Sequence, residues 1–255
     1  MNEDEVKDII EKIYQGLINL GFLPISLYLF TSNKLLSGVY SGYGMTLEEV
    51  VEKQIDHRTL YNLSRNIYQF SAAKTFQNVY DLQSIIYKDG FKVPFNEFSK
   101  QATTILGHYN KNWLEVEYNA AVMSSNAASQ WEGILKTSDQ FPLLKYQTVG
   151  DGRVRPEHAR LDGIVKPVND PFWNTAYPPN SWRCRCDVIQ LVKGEAEITK
   201  FEKGERHEIV KEIPKVFRNN PYKSGQVFND HHPYFDVPEK YESLKKANFN
   251  LPIPI

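Results

Sequence analysis

The chain has 255 residues, 41% of them hydrophobic, enough to bury a sizeable core as one large domain or two small ones. Its 30 lysines and arginines stand against 31 acids, so no global field draws it onto nucleic acid or anionic lipid, and any contact with DNA has to be local. The longest apolar runs fall far short of a membrane span. The acidic start MNEDEVKD lacks the character of a secretory signal, so the chain reads as soluble and kept in the cytoplasm.

Residues 4–20 place Val6, Ile9, Ile10, Ile13, Leu17 and Leu20 at helical spacing, with Gly21 where a C-terminal cap belongs. A second helix is expected around Ser32–Tyr40, and Thr46 to Glu49 has the form of a capping box that opens another. From Arg58 to Tyr87, Leu60, Leu63, Ile67, Phe70, Val79, Leu82 and Ile86 recur on helical steps, with Gly90 ending the run. Tyr61, Tyr68 and Phe76 share that spacing and are expected mostly in the core, with some aromatics left over for a contact surface. A long helix is then expected from near Asn96 to about Leu135, with a break at Gly107.

Beyond Ser138 the texture changes to short extended runs punctuated by Pro and Gly. LLKYQTV, GIVKPV and WRCRCDVIQLV read as strands, and Pro156 opens a single helical turn that Gly163 closes. The expected class is α+β: a largely helical region over 1–137, then a small α+β domain over 138–255 with short, mostly antiparallel strands. The tail LPIPI is expected to be extended, because proline cannot continue a helix.

Chemistry concentrates between Asp151 and Cys186. This run holds both cysteines, Trp173, Trp182 and five arginines (Arg153, Arg155, Arg160, Arg183, Arg185), with Asp151, Glu157, Asp162, Asp170 and Asp187 interleaved or adjacent. Guanidinium forks suit phosphates, but arginine paired with aspartate is the commoner use of such a mixture, fixing irregular loops from within. In that reading Asp162 and Asp170 lock turns, Gly163 supplies a backbone conformation other residues resist, and Trp173 and Trp182 cover the loops. Pro178-Pro179-Asn180 sets an extended entry to a strand from Trp182 to Cys186.

In a strand, residues two apart project to one face, so Cys184 and Cys186 would present both sulfurs to one metal ion. His158 would be the third ligand, and Asp162, His231 or His232 the fourth. The competing reading makes the cysteines small packed residues and His158 a hydrogen-bonded structural histidine. HHPYF (His231 to Phe235) divides the same way, between a metal or docking element and a packed loop. A disulfide across so tight a ring would be strained, so the thiols are expected reduced. A nucleophilic cysteine with a histidine base needs a third group to orient His158, and none is visible. Glycine-rich phosphate loops, H-E-x-x-H and G-x-S-x-G are absent, and the chain is read as no enzyme.

The pattern D-x-R-V-R-x-x-H-x-x-L-D-G (Asp151 to Gly163), then D-P-F-W (Asp170 to Trp173), then P-P-N-x-W-R-C-R-C (Pro178 to Cys186) resembles the phage Mu F-like head morphogenesis family of minor capsid proteins. The similarity continues through Trp113–Trp131 and Phe217–Phe235, over roughly residues 55–237. It implies a minor head protein that joins the procapsid in few copies. Such a protein binds the portal or the inner capsid face and assists head assembly or DNA packaging and delivery, without turnover. Its expected locations are the bacterial host cytoplasm during assembly and then the virion head, with no membrane and no small-molecule substrate. The residues matching the motif are Asp151, Arg153, Arg155, His158, Asp162, Gly163, Asp170, Trp173, Trp182 and Arg185. Many relatives carry C-x-x-C where this chain has Arg155-Pro-Glu-His158, so their pattern reads like a zinc site. Arginine cannot coordinate, which leaves His158 with Cys184 and Cys186.

Two other classes stay open. A cysteine/histidine-dependent enzyme or toxin-associated module requires a concave pocket joining Cys184 or Cys186 to His158, and no toxin-like domain is expected after HPYF. A DNA-binding accessory protein requires the arginines on one exposed face and salt-sensitive affinity.

Overall fold

A computed structural model describes residues 1–46, 49 and 58–254. The fold is α+β: long helices, short 3-10 and π turns, and two small antiparallel sheets. No helix among the described residues is long and apolar enough to cross a membrane.

The first helix runs over Glu3–Gln15. Asn2 opens it with a reciprocal capping box to Glu5, and Gly16 closes it in a left-handed conformation (φ 81°). Gly16 therefore caps five residues earlier than the expected Gly21, and Leu17 stands 65% exposed outside the helical stripe. The second helix, Ile25–Tyr43, is longer at both ends than the expected Ser32–Tyr40. Thr46 and Glu49 make both capping-box bonds, from Thr46 N to Glu49 Oε2 (2.8 Å) and from Glu49 N to Thr46 Oγ1 (3.2 Å). The helix that box would open lies outside the described residues.

The third helix is Arg58–Ser84. Gly90 does not end it. With Asp89 it makes the tight turn of a hairpin, β1 (Tyr87–Lys88) and β2 (Phe91–Lys92). Both turn residues have positive φ (52° and 82°), as a two-residue hairpin loop requires. The expected break at Gly107 is a π-helical turn, His108–Trp113, between helices Phe95–Gly107 and Leu114–Thr137. Of the three helical aromatics, Tyr68 and Phe76 are buried, whereas Tyr61 is 49% exposed.

The described chain divides into two compact units. One comprises Met1–Leu36, Ser64–Tyr118 and Pro233–Ile255 over their described residues. Ile9, Ile10 and Ile13 pack there against Leu27, Val79, Leu82, Phe98, Ala102 and Leu106. Its interior also holds an ion pair, Lys74 with Glu117, to which the Tyr234 hydroxyl donates at 3.0 Å. The tail packs here as well: Leu251 is buried and the Pro252 carbonyl accepts from the Tyr28 hydroxyl.

The other unit comprises Ser37–Leu63, over its described residues, and Asn119–His232. Its sheet has the order β4-β3-β5, with β3 Leu143–Gln147, β4 Val165–Pro167 and β5 Asp187–Leu191 all antiparallel. The register pairs Leu144 with Lys166 on one side and with Gln190 on the other. Trp131, Tyr146, Leu161, Phe172, Trp173, Tyr177 and Val188 form the core beneath it. The expected third strand is correct only from Asp187 onward: Trp182–Cys186 is a turn followed by irregular chain, with Arg183 at φ 55°.

Within this unit two helices approach backbone to backbone at Gly42. A Cβ there would sit 2.1 Å from the Val122 carbonyl oxygen, and the Ser125 hydroxyl donates to the Val39 carbonyl (2.6 Å) beside it. Helix propensity alone would make Gly42→Ala stabilising by about 1 kcal/mol, but forcing two helices apart costs about 1–3 kcal/mol and wins. Urea denaturation of Gly42→Ala is therefore expected to show a net loss of about 1–2 kcal/mol. Unchanged or increased stability would contradict this close packing.

Candidate functional site

Two segments of the second unit meet at His158, Cys184 and Cys186. His158 lies on a one-turn helix, Pro156–Ala159, started by a proline at its first position, where the missing N–H costs nothing. The His158 ring is 2% exposed, and its Nδ1 lies 3.7 Å from the Cys184 sulfur and 3.3 Å from the Cys186 sulfur. All three donor atoms fall within 4.8 Å of one another. Both cysteines are free. The sulfurs share a side as expected, but through the turn at Arg183 rather than by strand alternation.

Side chains that cross the loops hold this arrangement. Asp151 accepts from Arg185 at 2.7 and 2.8 Å and from Arg153 at 3.3 Å, which holds its carboxyl well below the usual carboxylate range, the Arg185 contact first among the causes. The same contact raises Arg185. Arg155 donates to the Trp182 carbonyl at 2.9 Å, and Arg160 pairs with Glu212. Arg183 makes no such contact among the described residues. Asp162 accepts from the backbone N–H and hydroxyl of Thr148 (2.7 and 3.0 Å), and Asp170 caps the 3-10 turn Pro171–Asn174 through Phe172 N (2.7 Å). Gly163 has φ 78° and donates to the Tyr146 carbonyl. Trp173 is fully buried and donates to the Pro167 carbonyl at 3.0 Å. Trp182 packs edge-on against Phe217 and His232.

The sequence motif contains Asn180 but missed its partner, Tyr146. The Tyr146 hydroxyl donates to Asn180 Oδ1 at 2.8 Å, both fully buried, and burial pushes the Tyr146 phenol far up. The available signal was a tyrosine at an inward strand position.

The electrostatics of the sulfurs are coupled. A hydrogen bond with Cys186, aided by His158 and backbone N–H groups, pulls the Cys184 thiol down to about 4 against the opposing effect of burial. Cys186 is pushed up by the same neighbour and by burial.

The donor set suits zinc. A tetrahedral ion with Zn–S near 2.3 Å and Zn–N near 2.0–2.1 Å holds its ligands about 3.5 Å apart, and the two nitrogen–sulfur distances bracket that value. None of Asp162, His231 and His232 joins the cluster, which corrects the expected fourth ligand. Asp162 is engaged by Thr148, and His232 is buried beside Trp182 and Phe228. His158 Nε2 is buried with no partner among the described residues, so no second group orients the ring.

Residues 92–189 match the family model described as Phage Mu protein F like protein, a span that contains the whole cluster. The chain carries a Mu F-like segment. Over 74 residues it is 45% identical to the Putative capsid assembly protein F of Escherichia phage Mu, covering 29% of this chain and 17% of that protein. Over 64 residues it is 39% identical to the Mu-like prophage FluMu F protein of Haemophilus influenzae, covering 25% of this chain and 16% of that protein. The Mu F-like match thus spans about a sixth of either relative. No solved structure matches the chain.

Proposed function

We propose that this chain is a minor head protein of a phage or prophage, acting in head morphogenesis by binding the portal or the inner capsid face. It assists assembly or DNA packaging and delivery, in the bacterial host cytoplasm and then in the virion head. The observation that carries this reading is the 45% identity over 74 residues to a protein named for capsid assembly. The chemistry of the site argues for binding over turnover: Cys184 is 8% exposed, and the imidazole beside it has no group on Nε2 to orient it as a base.

The partner surface belongs to the helical N-terminal region. Phe22 (76% exposed), and Tyr87 (63%) and Phe91 (78%) of the β1–β2 hairpin, present aromatic area that the fold does not use. Truncation is the wrong test, because Ile9, Ile10 and Ile13 are core residues. Co-expression with a phage portal protein is expected to give a co-purifying pair. Phe91→Asp is expected to cut recovery about tenfold, as the loss of an interface anchor does, with melting unchanged. A native chain that retains neither portal nor capsid protein would contradict the reading.

We further infer that His158 Nδ1 and the Cys184 and Cys186 sulfurs hold zinc as a structural clasp, with the fourth position left to a ligand outside the cluster. The ion would cross-link the Pro156–Ala159 turn to the cysteine loop and neutralise the thiolates. Metal analysis of the purified chain is expected to find stoichiometric zinc, lost on Cys184→Ser. Metal-free protein that takes up no zinc on addition would contradict it.

A further inference from the structure

Two arginines of this unit are held by nearby acceptors. Arg160 pairs with Glu212, and Arg218 donates to the carbonyls of Ile213 and Lys211 at 2.6 and 2.5 Å. Four others share one concavity. Arg153, Arg155, Arg183 and Arg185 converge on one recess of about 360 Å³, whose wall is completed by Val149, Val154, His158 and Cys186. Among the described residues, Asp151 is the carboxylate that ion-pairs with any of the four, and it contacts only Arg153 and Arg185. Four guanidiniums thus face a single ion-paired carboxylate around a small concavity.

Backbone geometry produces the convergence. Arg183 sits in the left-handed region at φ 55°, a conformation that bulky side chains rarely adopt. With that turn, Arg183 and Arg185 both line the recess while Cys184 between them is buried. Arg183 is exposed and has no hydrogen bond or ion pair among the described residues, so folding does not account for its position. His158 adds a second unmet need. Its Nε2 is buried and has no hydrogen-bond partner among the described residues.

We propose that this recess binds a phosphate oxyanion. Guanidinium forks match the oxygens of a phosphate in paired hydrogen bonds, and one phosphate gives Arg183 a partner. The volume lies at the small end of ligand pockets, roughly 300–1,000 Å³, and suits a phosphate with its immediate substituent rather than a large molecule. Two sources share this chemistry, free phosphate compounds and the phosphodiesters of nucleic acid. The inference goes beyond head assembly and does not rest on it, so its failure would leave that reading intact.

The test uses the full chain. Inorganic phosphate is titrated calorimetrically at constant ionic strength, with chloride as the balancing anion, and a short labelled DNA oligonucleotide is followed by fluorescence anisotropy. Saturable phosphate binding is expected, weakened about tenfold in Arg183→Gln and in Arg153→Gln, the loss of one charge-assisted pair. Both side chains are exposed, and equal melting temperatures confirm that the variants fold. If phosphate displaces bound oligonucleotide, nucleic acid is the source. If phosphate binds and the oligonucleotide does not, the source is a free phosphate compound. The proposal is overturned if neither probe binds saturably, or if both variants bind as the native chain does.

Discussion

The Asp151 carboxylate grips both terminal nitrogens of Arg185, at 2.7 and 2.8 Å, and the placement of the two sulfurs follows from that grip. It ties the loop before the Pro156–Ala159 turn to the loop that carries the cysteines, across 34 residues of sequence. An exposed ion pair alone is worth little, so the constraint has to come from its company. Arg155 reaches the Trp182 carbonyl, Asp162 holds Thr148, and Tyr146 reaches Asn180 from the core, each crossing between loops in parallel with Asp151. Together these ties fix the irregular chain that no strand ladder supports, and they bring His158 within range of both sulfurs.

The other unit keeps its buried polar groups on the same terms. Lys74 and Glu117 are almost wholly buried, and burial pushes each toward its neutral form while their mutual attraction opposes it. Tyr234 completes the group, and the nearby Tyr109 hydroxyl donates to Asp81 at 2.6 Å. A buried pair of this kind adds little net stability over an apolar replacement. Removing one partner strands a charge, which penalises alternative packings of helices Arg58–Ser84 and Leu114–Thr137 within this unit.

Much of this was legible in the sequence because burial leaves a periodic trace. Ile9, Ile10 and Ile13, and Leu63, Ile67, Phe70, Val79 and Leu82, stand where helical spacing puts them. Failures came where local chemistry overrode that trace. Two-residue strands carry no alternation to detect, so the Asp89-Gly90 hairpin read as the end of a helix. The alternation Arg-Cys-Arg-Cys imitates a strand, yet Arg183 adopts a left-handed turn and the extended ladder begins only at Asp187. At the site, the mixture of acids and arginines foretold the Asp151 pairing. It could not show that Asp162 is taken by Thr148, that His232 packs on Trp182, or that Arg183 is left over, because these depend on loops meeting in space.

We propose that the cysteine–histidine cluster is a structural element, with Cys184 buried and Cys186 half-buried, and not a reactive centre. The Cys184 thiol is pulled down by its neighbours, a shift that favours nucleophilicity, so its burial has to hold reactivity back. The alkylation rate of Cys184 and Cys186 by iodoacetamide in the native full chain at neutral pH tests this most directly. The account predicts that both react far more slowly than in the unfolded chain. A single cysteine reacting faster in the folded protein than a free thiol does would contradict it.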